Sequence, residues 1–101
     1  MSAPQWKNTY ELSEDQFQRL EEAEEKMELM EINIAENILT SLLEEDENCI
    51  PVLNIFGHMY GRYLSDFESA IKYYDRVLEL EPDNPWARDE RRRYRRYVSY
   101  D

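Results

Sequence analysis

The segment from residue 13 to residue 47 contains neither glycine nor proline, and this constrains the fold more than any other feature of the sequence. Apolar residues recur in it at steps of three and four, which places them on one face of an α-helix. After residue 27 a second apolar set widens that face, so the segment is predicted to be either one long helix or two helices joined near residues 28–31. The predicted buried stripe consists of Phe17, Leu20, Ala23, Met27, Met30, Ile34, Ile38 and Leu42.

Capping patterns indicate where the first helices begin. Ser13 is followed three residues later by Gln16, a capping box in which each side chain binds the other residue's backbone amide. A second start is predicted after Asn48, because an asparagine can cap a helix and Pro51 falls in the first turn, where a missing amide is tolerated.

Similar signals divide the C-terminal half into helices. A turn is predicted at residues 61–65, and Ser65 with Glu68 forms another capping box. Pro82 ends the helix that follows, while Asn84 caps the next one with a proline at its first helical position. The sequence therefore predicts several helices separated by short connections.

The composition agrees with an all-α fold in one small domain. Two glycines and four prolines among 101 residues are few for a turn-rich β fold, and a hydrophobic fraction of 42% suffices for a core. The sequence has no run of about 18 apolar residues and no apolar N-terminal signal, so neither a membrane span nor secretion is expected. A single cysteine, Cys49, excludes an intrachain disulfide, and a cytoplasmic location is expected.

The net charge of −11 is unevenly distributed along the chain. Residues 1–50 carry 14 acidic and 3 basic side chains, whereas residues 51–101 carry 9 of each, and residues 84–101 contain 6 arginines against 3 acids. The acidic total disfavours binding to nucleic acid, because phosphates are repelled. We expect the acidic half to attract the arginine-rich end, within one copy or between two copies.

Two predicted helices between residues 50 and 83 combine large and small residues in a fixed pattern: Leu53, Phe56, Gly57 and Tyr60 in the first, and Phe67, Ala70, Tyr74, Val77 and Pro82 in the second. This pattern resembles a tetratricopeptide repeat (TPR). In such a repeat the small residues, Gly57 and Ala70, would stand where two antiparallel helices approach closely, and Pro82 would end the second helix. The turn is one residue longer than usual, and Val77 replaces the usual alanine.

A weaker copy of the same pattern lies 35 residues earlier. Ala35 and Leu39 correspond to Ala70 and Tyr74, which favours a helix beginning near Glu31, preceded by a degenerate helix from residue 13. The resemblance thus implies an N-terminal tail at 1–12 and a TPR-like helical domain at 13–101. That domain would contain about two hairpins, the first degenerate, and a C-terminal capping helix.

Members of the TPR family bind peptides or protein surfaces as adaptors, cochaperones or assembly factors. The resemblance therefore implies a non-catalytic interaction module, adaptor-like or chaperone-like, whose partner is another protein or a peptide. The alternative is a structural subunit that acts as a homo-oligomer or within a larger assembly. No phosphate-binding loop, nucleophile motif or metal-ligand spacing occurs in the sequence, so we expect no enzyme activity, no cofactor and no metal.

Two groups of polar residues are candidate partner contacts. Asn54, His58 and Arg62 are spaced i, i+4, i+8, and together they offer an amide, an imidazole and a guanidinium to a peptide. The alternative is an ordinary solvated stripe. In the arginine run of residues 88–97, Arg93 and Arg96 are candidates for docking on an acidic partner, although cations near a helix C-terminus are also typical of a solvated capping face. RNA binding through this run is disfavoured by the net charge.

Overall fold

The computed structural model describes residues 12–98, and within this range every regular element is helical. The predicted all-α fold is confirmed for these residues, whereas the predicted tail lies outside them except for residue 12. The helices are α1 Glu14–Glu28, α2 Ile32–Glu45, α3 Ile50–His58, α4 Phe67–Leu80 and α5 Pro85–Val98. α3 continues without interruption as a π-helical segment, Met59–Tyr63.

The first hairpin begins with the predicted capping box. The Gln16 backbone N–H donates to Ser13 Oγ at 3.0 Å, and the Ser13 N–H donates to Gln16 Oε1 at 2.9 Å. α1 ends at Glu28, Met30 adopts a positive φ of 63°, and α2 begins at Ile32 and packs against α1. The two-helix alternative for residues 13–47 is therefore confirmed.

The break between α1 and α2 corrects part of the predicted apolar stripe. Met30 is 63% exposed and Ile34 is 44% exposed, although both were expected in the core. The positive φ of Met30 interrupts the helix, so the apolar periodicity of α1 does not continue into α2. Each helix therefore buries its own set of residues. The buried residues are Leu20, Ala23 and Met27 in α1, and Ala35, Leu39 and Leu42 in α2.

The described chain divides into two compact units whose boundary lies between Val52 and Leu53, inside α3. Cys49 is buried just before α3, and its sulfur accepts a hydrogen bond from the Val52 backbone. Burial raises the pKa of the Cys49 thiol, so this cysteine is kept in its neutral form. The predicted helix start near Asn48 is close to the observed start at Ile50, with Pro51 in the first turn.

The start of α4 differs from the prediction. The π-helical segment extends through the expected turn to Tyr63, and Ser65 has a positive φ of 54°. A residue that caps a helix from its N-terminal side normally has an extended backbone, so Ser65 does not form the predicted capping box. Asp66 takes that role, because its carboxylate accepts from the Ser69 N–H at 3.2 Å and from the Ser69 hydroxyl at 2.8 Å.

Both glycines lie against tyrosine rings of the second unit. A Cβ added to Gly57 would be 2.6 Å from Cζ of Tyr74, and one added to Gly61 would be 2.5 Å from Cζ of Tyr94. Any larger residue would collide with the ring at these positions. Gly57 thus lies where α3 has no room for a side chain beside the Tyr74 ring of α4, whereas the close approach of two antiparallel helices stays a prediction.

α5 begins as the sequence predicted. The Ala87 N–H donates to Asn84 Oδ1 at 2.9 Å, and Asn84 Nδ2 donates to Glu81 Oε1 at 2.8 Å, which ties the cap to the end of α4.

Tyr94 is buried, while Tyr97 is 58% exposed although its ring stacks on Phe67 with a centroid distance of 4.6 Å. α4 is therefore packed both against the π-helical segment and against α5.

Candidate functional site

A groove lies between the α3 helix with its π-helical extension and one flank of α4. We call it the aromatic groove, and its volume is about 320 Å³. Both walls contribute a tyrosine, and the α4 wall adds two cationic side chains at its rim. The lining residues are Leu53, Tyr60, Ser69, Lys72, Tyr73 and Arg76.

The two tyrosines of the aromatic groove belong to a stack of three rings. Tyr73 stacks on Phe56 with a centroid distance of 4.7 Å and an interplanar angle of 9°, and on Tyr60 at 5.5 Å and 13°. Phe56 is buried, whereas both tyrosines are half-buried and therefore partly accessible from the groove. Such a stack holds its ring faces in fixed positions, which suits contact with an apolar or aromatic side chain.

The cations of the groove are Lys72, which is exposed, and Arg76, which is half-buried. Arg76 Nη1 donates to Glu79 Oε1 at 3.2 Å, which restricts the guanidinium to this flank of α4. Cations beside aromatic rings attract carboxylates, and the rings provide apolar contact area. The groove can therefore hold a segment that combines an apolar side chain with an acidic one.

Asn54, the first residue of the predicted stripe, is fully buried. Neither its Oδ1 nor its Nδ2 atom has a hydrogen-bond partner among the described residues. The expectation that this side chain faces solvent is wrong. An unpartnered buried amide destabilises a fold by about 1–3 kcal/mol, so its presence here is unfavourable for stability.

His58, the second residue of the stripe, is half-buried among aromatic rings. Its imidazole lies 5.7 Å from the ring of Tyr63 and 5.9 Å from that of Trp86, and its buried Nδ1 atom has no described partner. Burial and the nearby charge of Arg62 lower its pKa from 6.5 to about 4. His58 is therefore neutral at neutral pH and offers no positive charge to a partner.

Arg62 is the one exposed member of the predicted stripe. It lies in the π-helical segment, whose hydrogen bonds span five residues instead of four. The three residues differ in exposure, since Asn54 is fully buried, His58 is half-buried and Arg62 is exposed. The structure thus does not bring the three residues together as an exposed stripe, and their role in binding stays a prediction.

A second groove lies on the other flank of α4, against α5. We call it the arginine groove, and its volume is about 390 Å³. Arg91, one of its lining residues, forms an ion pair with Asp75 of α4. The lining residues are Leu78, Arg88, Arg91, Arg92 and Arg95.

The predicted contacts Arg93 and Arg96 do not line the arginine groove, although both are exposed. Arg93 is 57% exposed and lies 3.7 Å from a carboxylate oxygen of Glu90. The sequence analysis recognised the arginine run but chose Arg93 and Arg96 instead of the arginines that line the groove, although the spacing of the latter carried a signal. Residues 88, 92 and 95 are related by i, i+4, i+7 and share one helical flank.

Residues 12–98 contain no cluster of His, Cys, Asp or Glu side chains suited to a metal ion. In the same part of the chain, no helix has the length and apolar character needed to cross a bilayer. Comparisons of the chain with protein-family models, with curated proteins and with solved structures found no match.

Proposed function

We propose that this chain is a non-catalytic protein-interaction module that binds a segment of another polypeptide in the aromatic groove. In this proposal α3 and α4 form a TPR-like hairpin, α5 closes it, and α1 and α2 form a degenerate hairpin. The observation that carries the proposal is the convergence of Tyr60, Tyr73, Lys72 and Arg76 on one groove.

The TPR-like arrangement is supported by how the hairpin packs. Gly57 lies against the ring of Tyr74, and Ala70 is fully buried, as expected where two antiparallel helices approach closely. Asn84 caps a helix that packs on α4 through Ala87 and Tyr94, which suits a closing helix. An adaptor-like or chaperone-like role would follow from this fold and groove together.

The size and chemistry of the groove define the ligand. Ligand pockets usually range from about 300 to 1,000 Å³, so a groove at the lower end takes one or two side chains and not a folded domain. The stacked tyrosines suit an aromatic or aliphatic side chain, and Lys72 with Arg76 suits a carboxylate next to it. We expect a short segment in which an apolar residue is flanked by Asp or Glu.

The direct test is selection of ligands from a displayed library of short random peptides, followed by binding measurements on the selected sequences. The groove variant combines Lys72→Glu with Arg76→Glu. The matched control combines Arg93→Glu with Arg96→Glu, since it changes the charge equally and also removes an arginine paired with a glutamate three residues away. Circular dichroism verifies that both variants keep the helical content of the wild type.

The wild type and the control are expected to bind selected peptides that contain an acidic and an apolar residue, and the groove variant is expected to lose that binding. The proposal is contradicted if no sequence is enriched, or if the groove variant binds the enriched peptides as well as the wild type does. Arg62→Glu, measured on the same peptides, tests whether the exposed residue of the predicted stripe also contacts the ligand.

A further inference from the structure

The arginine groove presents three exposed guanidinium groups along one flank of α5. Arg88, Arg92 and Arg95 are all exposed, while Arg91 is engaged with Asp75 at the inner wall. With a rise of about 1.5 Å per residue, the three exposed arginines extend over about 10 Å of the helix. Like charges held this close repel one another, so the groove is stabilised by an anionic partner.

The chain carries an acidic stripe of the same length on α1. Glu21, Glu25 and Glu28 are exposed, and α1 buries the opposite side through Leu20 and Met27. These glutamates are spaced i, i+4, i+7, which is also the spacing of the three exposed arginines. The two stripes therefore have equal charge counts and equal lengths.

We propose that the arginine groove binds the acidic stripe of α1 from a second copy of this chain. In a parallel pairing Glu21, Glu25 and Glu28 meet Arg88, Arg92 and Arg95 in order, since both stripes have the same steps of four and three. Every copy carries one groove and one stripe, so the complement is always present in equal amount. This matched complementarity selects a second copy over an unrelated acidic protein as the occupant.

The contact joins two different surfaces, so it is heterologous. Each association leaves a free groove at one end and a free stripe at the other, and copies add head to tail until a ring closes. Exposed ion pairs are individually weak and are screened by salt. The self-association is therefore weak, concentration-dependent and sensitive to ionic strength, and it does not depend on peptide binding in the aromatic groove.

The experiment is measurement of molar mass by light scattering and sedimentation at high micromolar protein concentration. At low salt the wild type is expected to exceed its monomer mass of 12.3 kDa. In about 1 M salt, where the Debye length is about 3 Å, the association constant is expected to fall at least about tenfold.

Two neutralising variants separate the surfaces. The arginine-groove variant carries Arg88→Gln, Arg92→Gln and Arg95→Gln. The acidic-stripe variant carries Glu21→Gln, Glu25→Gln and Glu28→Gln. Each is expected to be monomeric alone, because each lacks one half of the contact. Their equimolar mixture is expected to form a heterodimer of twice the 12.3 kDa chain mass, since the intact stripe of one meets the intact groove of the other.

Controls show that the effect is local. Arg93→Gln with Arg96→Gln removes arginines from the other flank of α5 and is expected to associate like the wild type. The aromatic-groove variant, Lys72→Glu with Arg76→Glu, is also expected to self-associate, so failure of peptide binding and failure of self-association can be told apart.

A monomeric wild type at low salt would overturn the inference, and so would a mixture of the two variants that stays monomeric. Poly-glutamate and single-stranded RNA are the probes for other occupants. If the wild type stays monomeric while either probe binds it and not the arginine-groove variant, the arginine groove binds a foreign polyanion. A second copy is then ruled out as its occupant.

Discussion

Replacement of Gly57 by alanine tests the tight contact between α3 and the Tyr74 ring of α4. In an isolated helix this change is stabilising by about 1 kcal/mol, because glycine has a lower helix propensity than alanine. In this fold the added Cβ would lie 2.6, 2.7 and 2.9 Å from Cζ, Cε1 and Cε2 of Tyr74. Carbon atoms in favourable contact are about 3.5–4.0 Å apart, so the methyl group and the ring cannot both keep their positions.

The ring of Tyr74 has little freedom to move away. It is fully buried, and it stacks on Tyr94 with a centroid distance of 6.3 Å. Overpacking of a buried site by one methyl group destabilises a fold by about 1–3 kcal/mol. We therefore expect Gly57→Ala to lower the free energy of unfolding by about 1–3 kcal/mol, and to lower Tm by roughly 5–15 °C in a domain of this size.

Urea and thermal unfolding followed by circular dichroism give the measurement, and a double-mutant cycle identifies the cause. Tyr74→Leu removes the ring, so Gly57→Ala is expected to be much less destabilising in that background than in the wild type. An increase in stability on Gly57→Ala, as helix propensity alone dictates, would refute the close approach. Equal losses in both backgrounds would show that the collision is not with Tyr74.

Three further changes address single side chains. Asn54→Leu replaces a buried amide that lacks partners by an apolar group of similar size, and it is expected to raise the free energy of unfolding in urea by about 1–3 kcal/mol. The folded-state pKa of His58, about 4, lies below its ordinary value of 6.5, so protonation favours the unfolded state and stability is lost as the pH falls from about 6.5 to 4. His58→Phe is expected to remove that loss, about 3 kcal/mol, measured by urea unfolding of variant and wild type across this pH range. Asn84→Ala removes the cap of α5 and is expected to lower the free energy of unfolding by about 1 kcal/mol, whereas Asn84→Ser is expected to keep most of it.

Features that depend on neighbouring residues were predictable from the sequence. The capping box at Ser13 and the cap at Asn84 formed as expected, since each requires only a side chain and an amide two or three residues away. These features follow from local geometry, which the order of residues determines.

Features that depend on an irregular backbone conformation or on packing between distant residues were not predictable from the sequence. No capping or periodicity signal in the sequence marks the π-helical segment Met59–Tyr63. Asp66 replaced Ser65 as a cap because the connection needed a left-handed residue at Ser65, which local propensity does not favour. Burial of Asn54 depends on tertiary packing, so an exposed amide was the default expectation.

The candidate site shows the same division. The arginines of α5 were recognised as a group, but the choice of Arg93 and Arg96 required knowing which flank of α5 faces α4, and the sequence left that open. In the structure α4 presents Lys72 and Tyr73 to one groove and Leu78 to the other, on opposite sides of its buried face. A ligand in the aromatic groove and a second copy on the arginine groove therefore contact different flanks of one helix. If both proposals hold, saturating the protein with a groove-binding peptide should leave the mass distribution of the wild type unchanged, because the two sites share no lining residue.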